Sequence, residues 1–350
     1  MSVNRLYQNG TCNRRQFLKL AASALGATLV SPLVNLSSAH AEELAASFPP
    51  ASLGRTASRG IEIRESPSLK AKLVRVVQQD EVLRLYAQTT GDALMSHNDI
   101  WYKTEGGYAY SSWIQPVEDI WNWPEPERAS DKFWGEITVP FSDSRWLPDP
   151  KAARHMRLYY TAVFRIVAAV WGKDGRWWYR LQDGITWGPG PYVPAAHVRR
   201  LDPSELTPIS PNVTDKRIEV NLKEQTIMAF ENGFPVLTSR IASGFGIHYT
   251  PRGEHTVLYK SPASRMTGGV GADFYDLPGV PFPTYITSKG VAIHGTYWHN
   301  DYGHPRSHGC LNVPSPIARW FWRWTMPSAP YDAAIHRAPS DVKGTLVKVS

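Results

Sequence analysis

The stretch that decides this chain reads His294-Gly295-Thr296-Tyr297-Trp298-His299-Asn300-Asp301-Tyr302-Gly303-His304-Pro305-Arg306-Ser307-His308-Gly309-Cys310-Leu311-Asn312. A cysteine nucleophile needs a base or cation to hold its thiolate, and amide donors for the oxyanion of a tetrahedral intermediate. His294 closes the apolar run Gly290-Val291-Ala292-Ile293, where a base at a strand end would stand, and His308 lies two residues before the sulfur. Gly309 removes a side chain where backbone amides must approach a substrate carbonyl. The same segment offers His294, His299, His304, His308 and Cys310 as soft ligands for zinc. Its glycines and aromatics are also compatible with a purely structural loop. Spacing alone divides evenly between a nucleophile and a metal site.

Working outward, cysteine usage is the next constraint. The 350 residues hold two cysteines, Cys310 and Cys12. Cys12 lies in a segment that resembles a twin-arginine export signal: Asn13-Arg14-Arg15-Gln16-Phe17-Leu18-Lys19, an Ala/Leu-rich run to Leu36, then Ala39-His40-Ala41. Cleavage is expected after Ala41, with an uncleaved N-terminal membrane anchor as the alternative. No other segment approaches the ~20 apolar residues of a membrane span. The mature chain is thus expected outside the cytoplasmic membrane, in periplasm or cell wall, carrying one thiol without a disulfide partner. An unpaired thiol there is either buried and inert or kept for its reactivity. The net charge of +7 points to no nucleic acid, because the first 41 residues hold four basic side chains and no acid, leaving 34 basic against 31 acidic.

Three folded units are expected, mostly β. After the signal (1–41) and a linker (42–56), residues 57–117 show short apolar runs split by turn residues: Ile61–Arg64, Leu73–Val77, Glu81–Leu85, Trp101–Lys103 and Gly107–Tyr110. A linker (118–135) leads to a divergent second copy (136–202), in which Phe164–Val167, Trp177–Arg180 and Gly190–Pro194 echo the first. Residues 213–350 change pattern, with strands at Arg217–Leu222, Thr226–Phe230, Pro235–Thr238, Thr256–Tyr259, Gly290–His294 and Gly344–Val349, and one helix near Ser315–Thr325 started by Ser315-Pro316. Met266–Tyr285, with Gly268-Gly269 and Gly271, is a candidate lid. Ten of the fourteen tryptophans fall between Trp101 and Trp187, where core filling is a more general use than stacking on glycan.

Resemblance separates the readings that spacing leaves level. His294-Gly295-Thr296 followed by Ser307-His308-Gly309-Cys310-Leu311-Asn312 resembles the signature of the YkuD-type L,D-transpeptidases. Ser243-Gly244 with Thr250–Thr256, Gly279-Val280-Pro281-Phe282 and Gly344–Val349 extend the resemblance over the C-terminal unit. Asn312 stands where many members carry Arg. The first N-terminal copy resembles bacterial SH3-like domains of cell-wall proteins, through Arg64–Ser68, Trp101–Lys103 and Gly107–Trp113. The fold class implied is an L,D-transpeptidase-type β-sandwich preceded by two small SH3-like β-barrels. Papain-like peptidases place Cys before His, and sortases carry a different cysteine strand, so both fit less well.

The resemblance implies an exported enzyme of peptidoglycan and cell-wall biogenesis, with a bearing on cell shape. Cys310 would be acylated by the third residue of a donor stem peptide, releasing D-alanine, and an acceptor stem amine would then form a cross-link. It implies His294 as base and acid, oriented by the carbonyl of Gly295, His308 as a source of positive potential, and the amides of His308, Gly309 and Cys310 as oxyanion donors. Ser307 and Asn312 would contact substrate. No cofactor and no metal are implied, and carbapenems would acylate the cysteine. Expected partners are donor and acceptor stem peptides, wall polymer at the SH3-like copies and the twin-arginine export machinery. L,D-carboxypeptidase activity and a non-catalytic wall-binding protein are the alternatives.

Overall fold

The computed structural model describes residues 34–36, 52–182 and 190–350. The export signal read at 1–41, with Cys12, lies outside these residues apart from the strand Val34–Leu36, which pairs antiparallel with Phe234–Arg240. Among the described residues no helix is long and apolar enough to cross a membrane.

The first β domain forms where strands bury alternate side chains. Ile61–Arg64 turns Ile61 and Ile63 inward and Glu62 outward, as a half-buried strand should. Two sheets, of five and three strands, close over Ile61, Ile63, Val77, Leu83, Tyr102 and Ile114. The linker expected at 42–56 ends early: Leu53–Thr56 is a strand between Val82–Arg84 and Ile114–Val117. Its composition hides it, because its buried residues include Arg55 and Thr56, polar groups satisfied only by distant partners. The strand Ala87–Met95 has no expected counterpart either, being mostly exposed and broken in register after Thr90.

The second β domain is a seven-stranded sheet that begins at Phe133 rather than 136. The strands read at Phe164–Val167, Trp177–Arg180 and Tyr192–Pro194 are present. The residues that set this copy apart, around Pro148–Met156, belong to an added hairpin of Phe141–Arg145 and Arg154–Tyr159. Of the tryptophans, Trp101, Trp134 and Trp178 are core residues whose indole N–H groups reach Asp92, Tyr331 and Asp174. Trp121, Trp123, Trp146 and Trp171 are exposed.

The C-terminal unit stacks two sheets around one ten-residue helix, Ser315–Trp324. The six-stranded sheet runs Val34–Leu36, Phe234–Arg240, Thr226–Glu231, Lys216–Asn221, Leu346–Val349, Gly253–Thr256. The five-stranded sheet runs Leu311–Pro314, Ala292–Thr296, Thr284–Tyr285, Tyr259–Lys260, His336–Arg337. Pro316 starts the helix, where a missing N–H costs nothing. Ile317, Ala318, Trp320, Phe321, Trp322 and Trp324 sink it into the core. Its last carbonyls, buried away from water, are answered by two buried ammonium groups. Lys260 Nζ donates to Trp322 and Thr325 oxygens at 2.6 and 2.7 Å, and Lys216 Nζ to the Trp324 oxygen at 2.9 Å.

The units do not keep separate cores. Trp134 and Val163 of the second domain pack into the C-terminal core, and Tyr297 of the His294–Asn312 stretch packs into the second domain's core. Thr161 and Ser315 hydroxyls meet at 2.8 Å across this junction.

Candidate active site

His294 and Cys310 are brought together by a parallel strand pair. Ala292–Thr296 and Leu311–Pro314 run side by side, with Ile293 opposite Leu311 and His294 opposite Asn312. Parallel neighbours cannot be joined by a tight hairpin, so the chain between them must swing out and return. That excursion is the loop carrying Ser307-His308-Gly309. The Cys310 sulfur lies 3.7 Å from the Gly290 carbonyl and is hydrogen-bonded by the Ala292 amide. Burial pushes its pKa up to about 11, the amide only partly opposing the shift.

His294 is 2% exposed, and its Nδ1 lies 2.9 Å from the Gly295 carbonyl oxygen. A carbonyl only accepts, so Nδ1 carries the proton and donates, leaving Nε2 as the basic nitrogen. Desolvation lowers the ring's pKa to about 4, against a small opposing effect of that carbonyl. Cysteine and histidine therefore rest as a neutral pair. Trp298 covers the ring at 5.8 Å between centroids. Gly295 is dictated by space: a Cβ there would stand 2.7 Å from Pro281 and 2.8 Å from Ser315. Gly309 is dictated by its backbone φ of +111°, with only ordinary contacts around it.

Three expected contributors are differently employed. The Ser307 hydroxyl donates to the Cys310 carbonyl at 2.6 Å and accepts from the Gly309 amide at 3.1 Å, so both bonds stay within the loop. The Gly309 amide, expected at the oxyanion, is thereby already engaged. Asn312, expected at the substrate, is 2% exposed and meets His299 Nε2 at 3.0 Å. His299, offered by the sequence only as a candidate zinc ligand, is itself buried, with its pKa lowered to about 3 by desolvation. Its Nδ1 accepts from the Asp301 amide at 3.1 Å. A neutral His299 then holds its proton on Nε2, which calls for the Asn312 amide oxygen to face the ring.

The loop is braced by the N-terminal domains. Asp301, 1% exposed, accepts from His97 Nε2 at 2.7 Å, Ser112 Oγ at 2.8 Å and Arg306 Nη1 at 2.8 Å. Burial by itself would raise its pKa, but the His97 and Ser112 bonds and the Arg306 charge outweigh burial and hold it low. His304 stacks on His97 at 5.3 Å, and Arg306 lies over Trp113. Arg55, joined to Asp80 and Gln115, donates to the Tyr297 carbonyl. Thus His294, His299, His304, His308 and Cys310 do not converge on one point: His299 is tied to Asn312 and His304 to His97.

Over the cysteine lies the segment read as a lid. It is a hairpin, Ala263–Gly268 with Tyr275–Pro281, tipped by the turn Gly271–Asp273. Tyr275 packs on the exposed His308 ring at 4.8 Å, and the hydroxyl pKa values of Tyr275 and Tyr285 are raised by burial first and by nearby Cys310 in smaller part. Nothing in their sequence neighbourhood marks Tyr275 or Trp298 as site residues; only proximity does.

A cysteine at the mouth of a parallel strand pair, with a carbonyl-oriented histidine beside it, defines a candidate acyl-transfer site. Residues 215–349 match the YkuD family, described as the L,D-transpeptidase catalytic domain. The C-terminal unit of this chain is an L,D-transpeptidase catalytic domain of the YkuD family. A Bacillus licheniformis protein carrying the name L,D-transpeptidase YkuD is 29% identical over 107 residues, which are 30% of this chain and 56% of that protein. The chain thus spans about half the length of this curated relative. Among solved structures, the catalytic domain of the Enterococcus faecium L,D-transpeptidase is 27% identical, with 39% of this chain and 97% of that one covered and a TM-score of 0.30. An L,D-transpeptidase from Mycobacterium smegmatis is 16% identical, with 77% and 99% covered and a TM-score of 0.33.

Proposed function

We propose that this protein is an exported peptidoglycan L,D-transpeptidase in which Cys310 is the nucleophile and His294 its base. The observation that carries the reading is the placement of Cys310, immediately before a strand parallel to that of His294, beside a ring whose Nδ1–H is committed to Gly295, inside a YkuD-family domain.

The neutral resting pair sets the sequence of events. With a thiol near 11 and an imidazole near 4, little thiolate exists at neutral pH, so proton transfer accompanies attack rather than preceding it. The sulfur adds to the carbonyl of the third stem residue while its proton passes to His294 Nε2. The tetrahedral oxyanion is held by loop amides, with those of His308 and Cys310 the candidates, since Gly309 is spoken for. His294 returns the proton to the departing D-alanine nitrogen, leaving a thioester. An acceptor amine on a second stem attacks that thioester, His294 takes the amine proton, and the thiol is restored with a new amide. The cleaved peptide bond supplies the energy for the one made, so no nucleotide is consumed.

The test uses protein from Glu42 onward and its Cys310→Ala variant, each incubated with disaccharide-tetrapeptide and read by mass spectrometry. A product of two substrates less one D-alanine, absent in the variant, is expected. Release of D-alanine without dimer would mean an L,D-carboxypeptidase. No product, with no carbapenem adduct on Cys310, would leave a wall-binding protein.

A further inference from the structure

Beside the cysteine–histidine pair, three ligand-type side chains gather at the cleft mouth. His248 lies on the loop after Ser243-Gly244 and packs at a tilt against His308, with centroids 4.4 Å apart and planes 41° apart. Asp273, at the tip of the hairpin over the cysteine, brings a carboxylate oxygen to 3.8 Å from His248 Nε2. One ligand-type atom from each of His248, Asp273 and His308 lies within 4.8 Å of the others, and among the described residues no other such trio occurs.

One detail sets this apart from a chance surface cluster. His248 Nε2 is buried and has no hydrogen-bond partner among the described residues. A buried ring nitrogen is normally satisfied, and Asp273 at 3.8 Å is too distant to do it. A metal ion bridges such a gap, because tetrahedral ligands each ~2.0–2.1 Å from zinc stand roughly 3.4 Å apart. Two imidazoles and a carboxylate suit zinc, whereas magnesium and calcium favour all-oxygen sites.

We propose that His248, His308 and Asp273 form a zinc-type metal site that ties the hairpin tip to the two loops flanking Cys310. Binding draws Asp273 inward by a fraction of the present gap, holds Tyr275 against His308, and closes the cleft over the sulfur. The ion acts as a brake on acylation. The site itself does not depend on the reading of Cys310 as the acylated residue; the brake does.

The experiment begins with the full chain made thiol-free by Cys12→Ser and Cys310→Ala, titrated with Zn2+ by calorimetry, and with Co2+ for its visible spectrum. One zinc per chain and a tetrahedral cobalt spectrum are expected. His248→Ala or Asp273→Asn in this background, with melting unchanged, should weaken zinc binding at least tenfold. No zinc uptake by the thiol-free chain, or equal uptake in both variants, would overturn the site. Carbapenem acylation of the wild-type full chain is then timed with chelator and with zinc. At least tenfold slowing by zinc, abolished by His248→Ala, is expected, and unchanged acylation with zinc bound would overturn the brake. A cysteine unreactive even with chelator, alongside zinc uptake by the thiol-free chain, would sink the transpeptidase reading and leave the site standing.

Discussion

At Cys310 and His294 the controlling physics is desolvation. The same burial that lifts the thiol to about 11 lowers the imidazole to about 4, so neither charge is prepaid, and the proposed mechanism moves the proton with the attack. The pH dependence follows. In the proposed mechanism His294 serves as base only when neutral, and its lowered pKa keeps it neutral down to about pH 4. Carbapenem acylation, timed by mass spectrometry, should hold a plateau from pH 5 to 9 and fall as pH drops through about 4. A midpoint at the ordinary imidazole value near 6.5 would show a solvated ring. A tenfold rise per pH unit would show attack by free thiolate. Gly295 offers a steric test: Gly295→Ala places a Cβ 2.7–2.8 Å from Pro281 and Ser315. Overpacking of that kind costs ~1–3 kcal/mol, read as a lowered melting temperature.

At the scale of one element, the crossover loop shows why the site was only partly legible. The motif residues His294 and Cys310 can be read from the sequence because their chemistry constrains their neighbours. His299 cannot, because its role depends on Asn312 and Asp301 meeting it in the interior. The bonds that Ser307 and Asn312 make inside the loop and interior are hidden from the sequence for the same reason. A polar side chain next to a nucleophile looks like a substrate contact until its hydrogen bonds are traced back into the loop. Asp301 is the pin of this element. Asp301→Ala leaves His97 and Arg306 facing a buried gap, and breaking a buried pair by deleting one partner costs ~3–5 kcal/mol. Hydrogen exchange should show residues 297–306 losing protection in that variant, with acylation slowed. Unchanged protection would mean that the loop stands without its brace.

Across the whole molecule, the N-terminal domains are part of the site's foundation. Arg55, His97 and Ser112 hold the loop, while Trp134 and Tyr297 exchange places between cores. A chain of residues 213–350 should therefore melt well below the full chain and acylate slowly, because it exposes the core faces around Tyr297 and Tyr331. Equal melting and acylation would make the N-terminal domains mere passengers. Acid should loosen the intact protein as well. His294 and His299 are buried neutral, with pKa values of about 4 and about 3 against ~6.5 unfolded. The unfolded chain thus binds more protons as pH falls from about 6.5 toward 3, and stability drops across that window. His299→Gln, melted from pH 7 to 4, should flatten the decline. Trp121, Trp123, Trp146 and Trp171 stay exposed, whereas Trp101, Trp134 and Trp178 are spent on packing.

The amino-acid sequence by itself determined the β character, the helix started by Ser315-Pro316 and the YkuD-type motif that holds His294 and Cys310. These rest on local periodicity, proline geometry and a short motif, all carried by neighbours along the chain. Only the tertiary structure decided that Leu53–Thr56 is a strand, that the added hairpin of the second domain exists, and that His299, Asp301 and His97 brace the loop. Each of these depends on a buried polar group finding a partner from a distant part of the chain. No local pattern encodes that condition, because desolvation is set by everything that folds around a residue.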